Sequence, residues 1–342
     1  MKVAMLAPIA WRTPPRDYGP WELVASNLTE GLIKKGIDVS LFATEDSITN
    51  AKLYSVCQKG YEEDKSINAE VWKLLHISEV FERAEEFDII HNHFDYPVLT
   101  YSKLVKTPVV TTIHGFSSSK IYPVYEKYNE NTYYVSISNA DRYDKLNYMG
   151  TVYNGINLND FTFNPIGGDY LVYLGRICYE KGTYEAIQIA KKANKILKIA
   201  GIIQENDYYE KKIKPLIDNK QIIYLGVISN EEKNQLLGNA SCMLHPVMKP
   251  ERFGLTMAES MACGTPVLGF NKGSVREVVR KGKIGFVVKD IEEAVKILPK
   301  LEQIKRIDCR NHVKKYFSVE KMVSGYIEVY KKIINIHNSI GN

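Results

Sequence analysis

Apolar residues along the chain fall into short runs, separated by longer stretches in which they recur every three or four positions. Runs at 3–8, 38–43, 88–91, 109–113 and 133–137 read as buried strands, and the stretches 21–35, 70–86, 98–105 and 139–147 read as helices. Strands apolar on both faces, alternating with helices, are the pattern of a parallel sheet covered on both sides. The pattern breaks at 152–165, where Asn154-Gly155 signals a turn and Asn157, Asn159, Asp160, Asn164 and Pro165 follow. It restarts with strand runs at 170–174, 196–200, 222–225, 242–245, 266–269 and 285–288, and with helical stretches at 182–194, 207–218, 231–237 and 255–263. Two such sets joined by a linker predict an α/β protein of two Rossmann-like domains whose parallel sheets face a cleft. Their expected spans are 1–155 and 156–318. The last stretch, 319–336, reads as one long helix. Its apolar positions Val319, Met322, Val323, Tyr326, Val329, Tyr330 and Ile333 recur at helical spacing and need a partner surface.

Composition narrows the class without changing this picture. The 342 residues are 45% hydrophobic and 25% charged, which suits two globular cores and excludes wholesale disorder. Lys plus Arg is 45 against 40 for Asp plus Glu, a formal charge of +5 spread along the chain, so a dedicated nucleic-acid binder is not expected. The cysteines Cys57, Cys178, Cys242, Cys263 and Cys309 are odd in number and include no C-x-x-C, so they read as free thiols in a reducing compartment. No run of 18 apolar residues exists to span a bilayer. The apolar opening meets Arg12, Pro14, Pro15, Arg16 and Asp17 instead of a cleavage site. It is therefore read as a first strand, not a signal segment, and the expected compartment is the cytoplasm.

Two segments carry candidate chemistry. In 249–267 the carboxylates Glu251 and Glu259 stand eight positions apart, and Gly254 between them lets the chain turn into a helix. Backbone N–H groups of Phe253, Gly254 and Leu255 then lie at a helix N-terminus beyond a strand end, a place suited to an anion. In 174–182 Arg176 follows a strand and Lys181 precedes a helix. A guanidinium fork and an ammonium point charge together suit a diphosphate. A solvated loop with two acids, and a surface ion pair, are the plainer readings of each segment alone.

Together the segments resemble family 4 of the glycosyltransferases, the retaining enzymes of GT-B fold that include glycogen synthases and mannosyltransferases. The resemblance rests on Gly175-Arg176 through Glu180-Lys181-Gly182, on the Glu251/Glu259 pair, and on Met261-Ala-Cys-Gly-Thr-Pro-Val267. It extends over most of the chain through Asp88-Ile-Ile-His-Asn-His93, Thr112-Ile-His-Gly115, Val135-Ser-Ile-Ser138 and Val152-Tyr-Asn-Gly-Ile156. It implies that Arg176 and Lys181 grip the diphosphate of a nucleotide sugar and that Glu259 binds its ribose. It places Glu251 and the backbone of Arg252, Phe253, Gly254 and Leu255 against the transferred sugar, and His114 near the anomeric centre. Gly19 gives the phosphate backbone access, and the base rests near Gly226, Val227 and Ile228. It also implies that residues from about 319 to 342 cross back to the first domain, and that the domains close about the linker. The sequence names neither donor nor acceptor; GDP-mannose is the favoured donor, UDP-glucose the next, and the acceptor is taken to be a hydroxyl of a sugar or glycan.

The sequence also departs from the family pattern. Gly19 is followed by Pro20 where a second glycine is usual, which removes one backbone donor. Asn157 stands where the family has an acid. There is no D-x-D and no H-E-x-x-H, so no metal or other cofactor is expected. No G-x-S-x-G or G-x-G-x-x-G supports a serine hydrolase or a hydride-transfer enzyme. The loop 11–21, with Trp11, Arg12, Arg16, Asp17, Tyr18 and Trp21, and the strand end with His93 and Asp95 are taken as the acceptor site, since aromatic faces stack on sugar rings. His91 is expected to be packed. The stretch 52–65 is the candidate for a membrane-docking amphipathic helix, but Glu62, Glu63 and Asp64 make it a solvated face, so a soluble acceptor is expected. A sugar-nucleotide epimerase or a non-catalytic nucleotide-sugar binder on the same architecture are the alternatives. Oligomeric state is left open.

Overall fold

The computed structural model describes residues 1–340, which divide into two compact units: Met1–Gly155 with the chain from Val319 onward, and Ile156–Ser318. The first unit holds β1 (Lys2–Leu6), β2 (Asp38–Phe42), β3 (Lys52–Tyr54), β4 (Ile89–Asn92), β5 (Val109–Ile113), β6 (Tyr133–Ser136) and β7 (Tyr148–Thr151). They form a parallel sheet of seven strands in the order β3-β2-β1-β4-β5-β6-β7. The second unit holds β8 (Tyr170–Leu174), β9 (Leu197–Ala200), β10 (Ile222–Tyr224), β11 (Ala240–His245), β12 (Val267–Phe270) and β13 (Gly285–Val288), a parallel sheet of six in the order β10-β9-β8-β11-β12-β13. Sheet order reverses beside β1 and beside β8, which is where doubly wound sheets open a binding crevice at their carboxyl edge.

The helices follow the apolar spacing. In chain order they are α1 (Pro20–Lys34), α2 (Ala69–Glu82), α3 (Tyr122–Lys127), α4 (Thr183–Lys192), α5 (Asn206–Tyr208), α6 (Asn230–Gly238), α7 (Leu255–Ala262), α8 (Val275–Val278), α9 (Ile291–Ile297), α10 (Arg306–Tyr316) and α11 (Val319–Ile340). Pro20 opens α1, where its missing N–H costs nothing. Val24, Leu28 and Leu32 bury one stripe of that helix. α11 packs on α1, and Met322, Val323, Tyr326, Val329, Tyr330 and Ile333 are all buried there. Gly31 lets the two helices approach, because a Cβ on it would stand 2.4 Å from Val323 Cγ2.

Several predicted elements take a different form. The stretch 139–147 contains turns and no helix: Tyr143 and Leu146 pack into the core while Arg142 reaches back to the Ser136 and Thr151 hydroxyls. The amphipathic candidate 52–65 is a three-residue edge strand followed by turns, so it has no helical face to lay on a membrane. The helix predicted at 207–218 breaks into α5, a π turn at Tyr209–Ile213 and a 3₁₀ turn at Lys214–Leu216, where Pro215 cannot donate to the ladder. Residues 98–105 hold the end of a 3₁₀ turn, Tyr96–Tyr101. All five cysteines are free and buried. No helix among the described residues is long and apolar enough to cross a membrane.

Candidate active site

In the second unit the polar side chains gather where β8 and β11 end. Arg176 follows β8 by two residues, and Lys181 closes the 3₁₀ turn Tyr179–Lys181 just before α4. β11 ends at His245, and Glu251 lies in the loop leading to α7. Lys181 and His245 meet on the Glu251 carboxylate, which Arg176 does not touch. Lys181 Nζ donates to Glu251 Oε2 at 2.6 Å, His245 Nε2 is 3.0 Å from the same oxygen, and the Arg252 N–H donates to Oε1 at 3.1 Å. Glu251 is only 6% exposed. Burial alone would raise its carboxyl, but the His245 hydrogen bond and the Lys181 charge outweigh it and hold Glu251 well below the usual carboxylate range. The site therefore contains a buried carboxylate whose ionised form is favoured by the cation and the imidazole fixed on it.

Gly254 caps α7 at φ 83°, and a Cβ there would press within 2.3 Å of Met257 Cε. Glycine thus sets the helix N-terminus close beside Glu251. Of the neighbouring residues, Phe253 turns its side chain inward, 1% exposed and edge-on to Phe317 at 5.5 Å, so only its backbone faces the loop side. Arg252, Gly254 and Leu255 are partly exposed. Glu259 sits on the second turn of α7, and its Oε1 accepts from Lys233 Nζ on α6 at 3.1 Å. Arg176 Nη1 donates to Gln204 Oε1 at 2.6 Å. Beyond β10, Gly226 takes φ 76° with open space where a Cβ would lie, and Val227 is 59% exposed with Ile228 partly so. An open backbone flanked by apolar side chains can receive a flat ring.

His245 and Lys233 were not among the residues singled out from sequence. His245 could have been found as the polar residue ending an otherwise apolar strand six positions before Glu251. Lys233 gave no signal, because its meeting with Glu259 depends on how α6 and α7 pack.

In the first unit the start of α1 and the ends of β4 and β5 converge on His114. Trp21 stacks on the His114 ring with centroids 5.2 Å apart and planes 17° from parallel. His93 Nδ1 is 2.9 Å from His114 Nε2. His91 is packed as expected, between the Tyr330 hydroxyl at 2.6 Å and Thr112 Oγ1 at 2.7 Å. Burial pushes the His114 imidazole down to about 3, and burial with the neighbouring histidines lowers His91 and His93 as well, so all three are neutral at physiological pH.

The residues read as an acceptor site separate into two groups. His93 is fully buried and therefore presents nothing to an acceptor; its partner is His114. The Tyr125 hydroxyl donates to Asp95, whose carboxyl is raised by burial and lowered by that bond. Arg16 pairs with Glu63 and Asp46, and Arg12 Nε donates to the Pro14 carbonyl at 3.0 Å. Trp11 and Tyr18 stand edge to face at 6.2 Å, with Tyr18 and Asp17 exposed. Gly19 has φ 154° and lies against Pro15 and Glu22.

Glu22 is nearly buried at the start of α1, accepting from the Trp11 N–H at 3.3 Å. Burial raises its carboxyl from 4.5 to about 7, against the smaller pull of backbone N–H groups. The folded chain thus holds a proton that the unfolded chain has lost. This contribution to stability is full below pH 4.5 and is lost as pH rises through about 7. At about 1.4 kcal/mol per pH unit, the loss is roughly 3 kcal/mol. Glu22→Gln is expected to flatten the dependence of unfolding free energy on pH across that window. Urea titrations at pH 4, 6 and 8 check it, and an unchanged slope would rule Glu22 out as its source.

Residues 160–316 match the family described as Glycosyl transferases group 1, and residues 22–159 match Glycosyltransferase Family 4. The chain belongs to these glycosyltransferases, and its two Rossmann-like units have the GT-B fold. An uncharacterised glycosyltransferase of Methanocaldococcus jannaschii is 22% identical, with 82% of this chain and 83% of that protein covered. Sucrose-phosphate synthase of Thermosynechococcus elongatus is similar in structure, with a TM-score of 0.78, 17% identity, and 98% and 100% of the two chains covered. HepE of Anabaena, solved in complex with UDP and glucose, has a TM-score of 0.72 and 18% identity over 97% of this chain and 100% of its own.

Proposed function

We propose that this glycosyltransferase moves a hexosyl group from a nucleotide sugar to a hydroxyl of a carbohydrate acceptor, with retention at the anomeric carbon and without a metal. The observation that carries the reading is the Lys181–Glu251–His245 cluster at the loop into α7, with Arg176 on the same turn as Lys181, where the Tyr173 hydroxyl bonds both of their carbonyls. Arg176 and Lys181 hold the diphosphate and stabilise the charge that develops as it leaves. Glu251 and the backbone from Arg252 to Leu255 orient the sugar, Glu259 takes the ribose hydroxyls, and the base lies on Gly226–Ile228. Gly19 gives the phosphate access to backbone in the first unit, where His114 meets the transferred sugar. The anomeric C–O bond to phosphate breaks as the acceptor oxygen bonds on the same face, and the acceptor proton passes to the departing phosphate oxygen. Exposed Arg16, Asp17 and Tyr18, with partly exposed Trp11, are the groups offered to an acceptor. HepE, in complex with UDP and glucose, supports a nucleotide-sugar donor. GDP-mannose is the first donor to test and UDP-glucose the second.

In this reading Arg176 and Lys181 stabilise the leaving diphosphate and turnover needs no metal. A thermal-shift screen of nucleotide sugars identifies the donor, since a ligand at about 100 times its dissociation constant adds roughly 2.7 kcal/mol. Release of nucleoside diphosphate with that donor is expected to continue in EDTA. Complete loss in chelator, restored by Mg²⁺ or Mn²⁺, would contradict the metal-free reading.

A further inference from the structure

The His93–His114 pair has only one inexpensive arrangement of protons. Both rings are neutral, and a neutral imidazole carries one N–H and one bare nitrogen. The 2.9 Å contact between His93 Nδ1 and His114 Nε2 needs one of each. If His114 donated, the proton of His93 would sit on Nε2. That atom is buried without a hydrogen-bond partner, so it would be an orphan donor. Buried orphan N–H groups are rarer than under-satisfied acceptors, and an unmet donor costs about 1–3 kcal/mol. The bond therefore runs from His93 Nδ1–H to His114 Nε2, and His114 carries its own proton on Nδ1.

The surroundings keep this arrangement in place. Thr112 Oγ1, already on His91, is 2.7 Å from the Tyr326 hydroxyl, so two tyrosines of α11 anchor His91 against His93, ring centroids 4.2 Å apart. Trp21 covers one face of His114. Nδ1 of His114 has no protein partner among the described residues, and the side chain keeps 7% exposure.

We propose that His93 is a positioning residue that fixes His114 as the Nδ1–H tautomer, so that His114 meets a hydroxyl oxygen of the transferred sugar as a hydrogen-bond donor. The role rests on the reading that His114 touches that sugar; the tautomer does not. His93→Asn keeps an amide N–H close to the place of Nδ1–H, and His93→Leu removes it. Nitrogen-15 NMR of His114, read without substrate, is expected to show Nδ1–H in the wild type and in His93→Asn, and a mixture in His93→Leu. With donor, kcat is expected to stay within about fivefold in His93→Asn and to fall about 30-fold in His93→Leu while donor KM changes less than about threefold. An Nε2–H tautomer at His114 in the wild type overturns the proposal. So does a folded His93→Leu that turns over at the wild-type rate. A wild type with Nδ1–H at His114 that turns over no nucleotide sugar brings down the transfer reading and the role of His93 with it.

Discussion

Alanine at Lys181 is expected to lower kcat about 100-fold or more, and alanine at Arg176 to do the same. Lys181 meets Glu251 at 2.6 Å with its side chain 24% exposed, so it is part of a built cluster and not a surface cation. Removing it leaves a carboxylate that is 6% exposed with His245 as its remaining side-chain partner, and the leaving diphosphate loses a point charge. Arg176 is more open and is held by a neutral amide, Gln204, so its loss should act on turnover with little change in stability. Steady-state kinetics with the donor found by thermal shift, beside melting temperatures for each variant, separates the two effects. Activity of both variants within threefold of wild type would remove the diphosphate assignment.

The two carboxylates are expected to fail in different ways. Glu259 is ion-paired to Lys233 of α6 and stands apart from the Glu251 cluster, which suits the steady ribose binding proposed for it. Glu251 sits at the meeting point of Lys181, His245 and the α7 N-terminus, where the proposed reaction would change charge. Glu259→Gln should therefore raise donor KM about tenfold or more with a smaller loss in kcat, whereas Glu251→Gln should lower kcat about 100-fold with a smaller change in KM. The opposite split would exchange their roles.

Much of the architecture was legible because short apolar runs such as 3–6 alternate with helical stretches, a pattern that reads as doubly covered strands. The edge strands Lys52–Tyr54 and Tyr148–Thr151 were not legible, since they are half exposed and carry no alternation. The spacing of Met322, Tyr326 and Tyr330 gave α11 its buried stripe, but not the hydroxyls it sends to Thr112 and His91. Glu251 and Lys181 were found because each stands at a strand-to-helix junction. Their contact spans 70 positions and needed the fold to appear. His93 was read as facing an acceptor because it ends a strand. The strand's pleat and the packing of α11 put it inside instead, bonded to the residue that is proposed to meet the sugar.

The central claim is tested most directly by following the anomeric carbon itself. The wild-type protein is incubated in EDTA with the donor carrying carbon-13 at its anomeric position and with a carbohydrate acceptor, and the anomeric signal is followed by NMR. The account predicts that the signal coupled to phosphorus disappears and that a glycoside signal of the same anomeric configuration replaces it, while both processes are lost in Lys181→Ala. A glycoside of inverted configuration, or a labelled donor that stays intact with every acceptor, would contradict it.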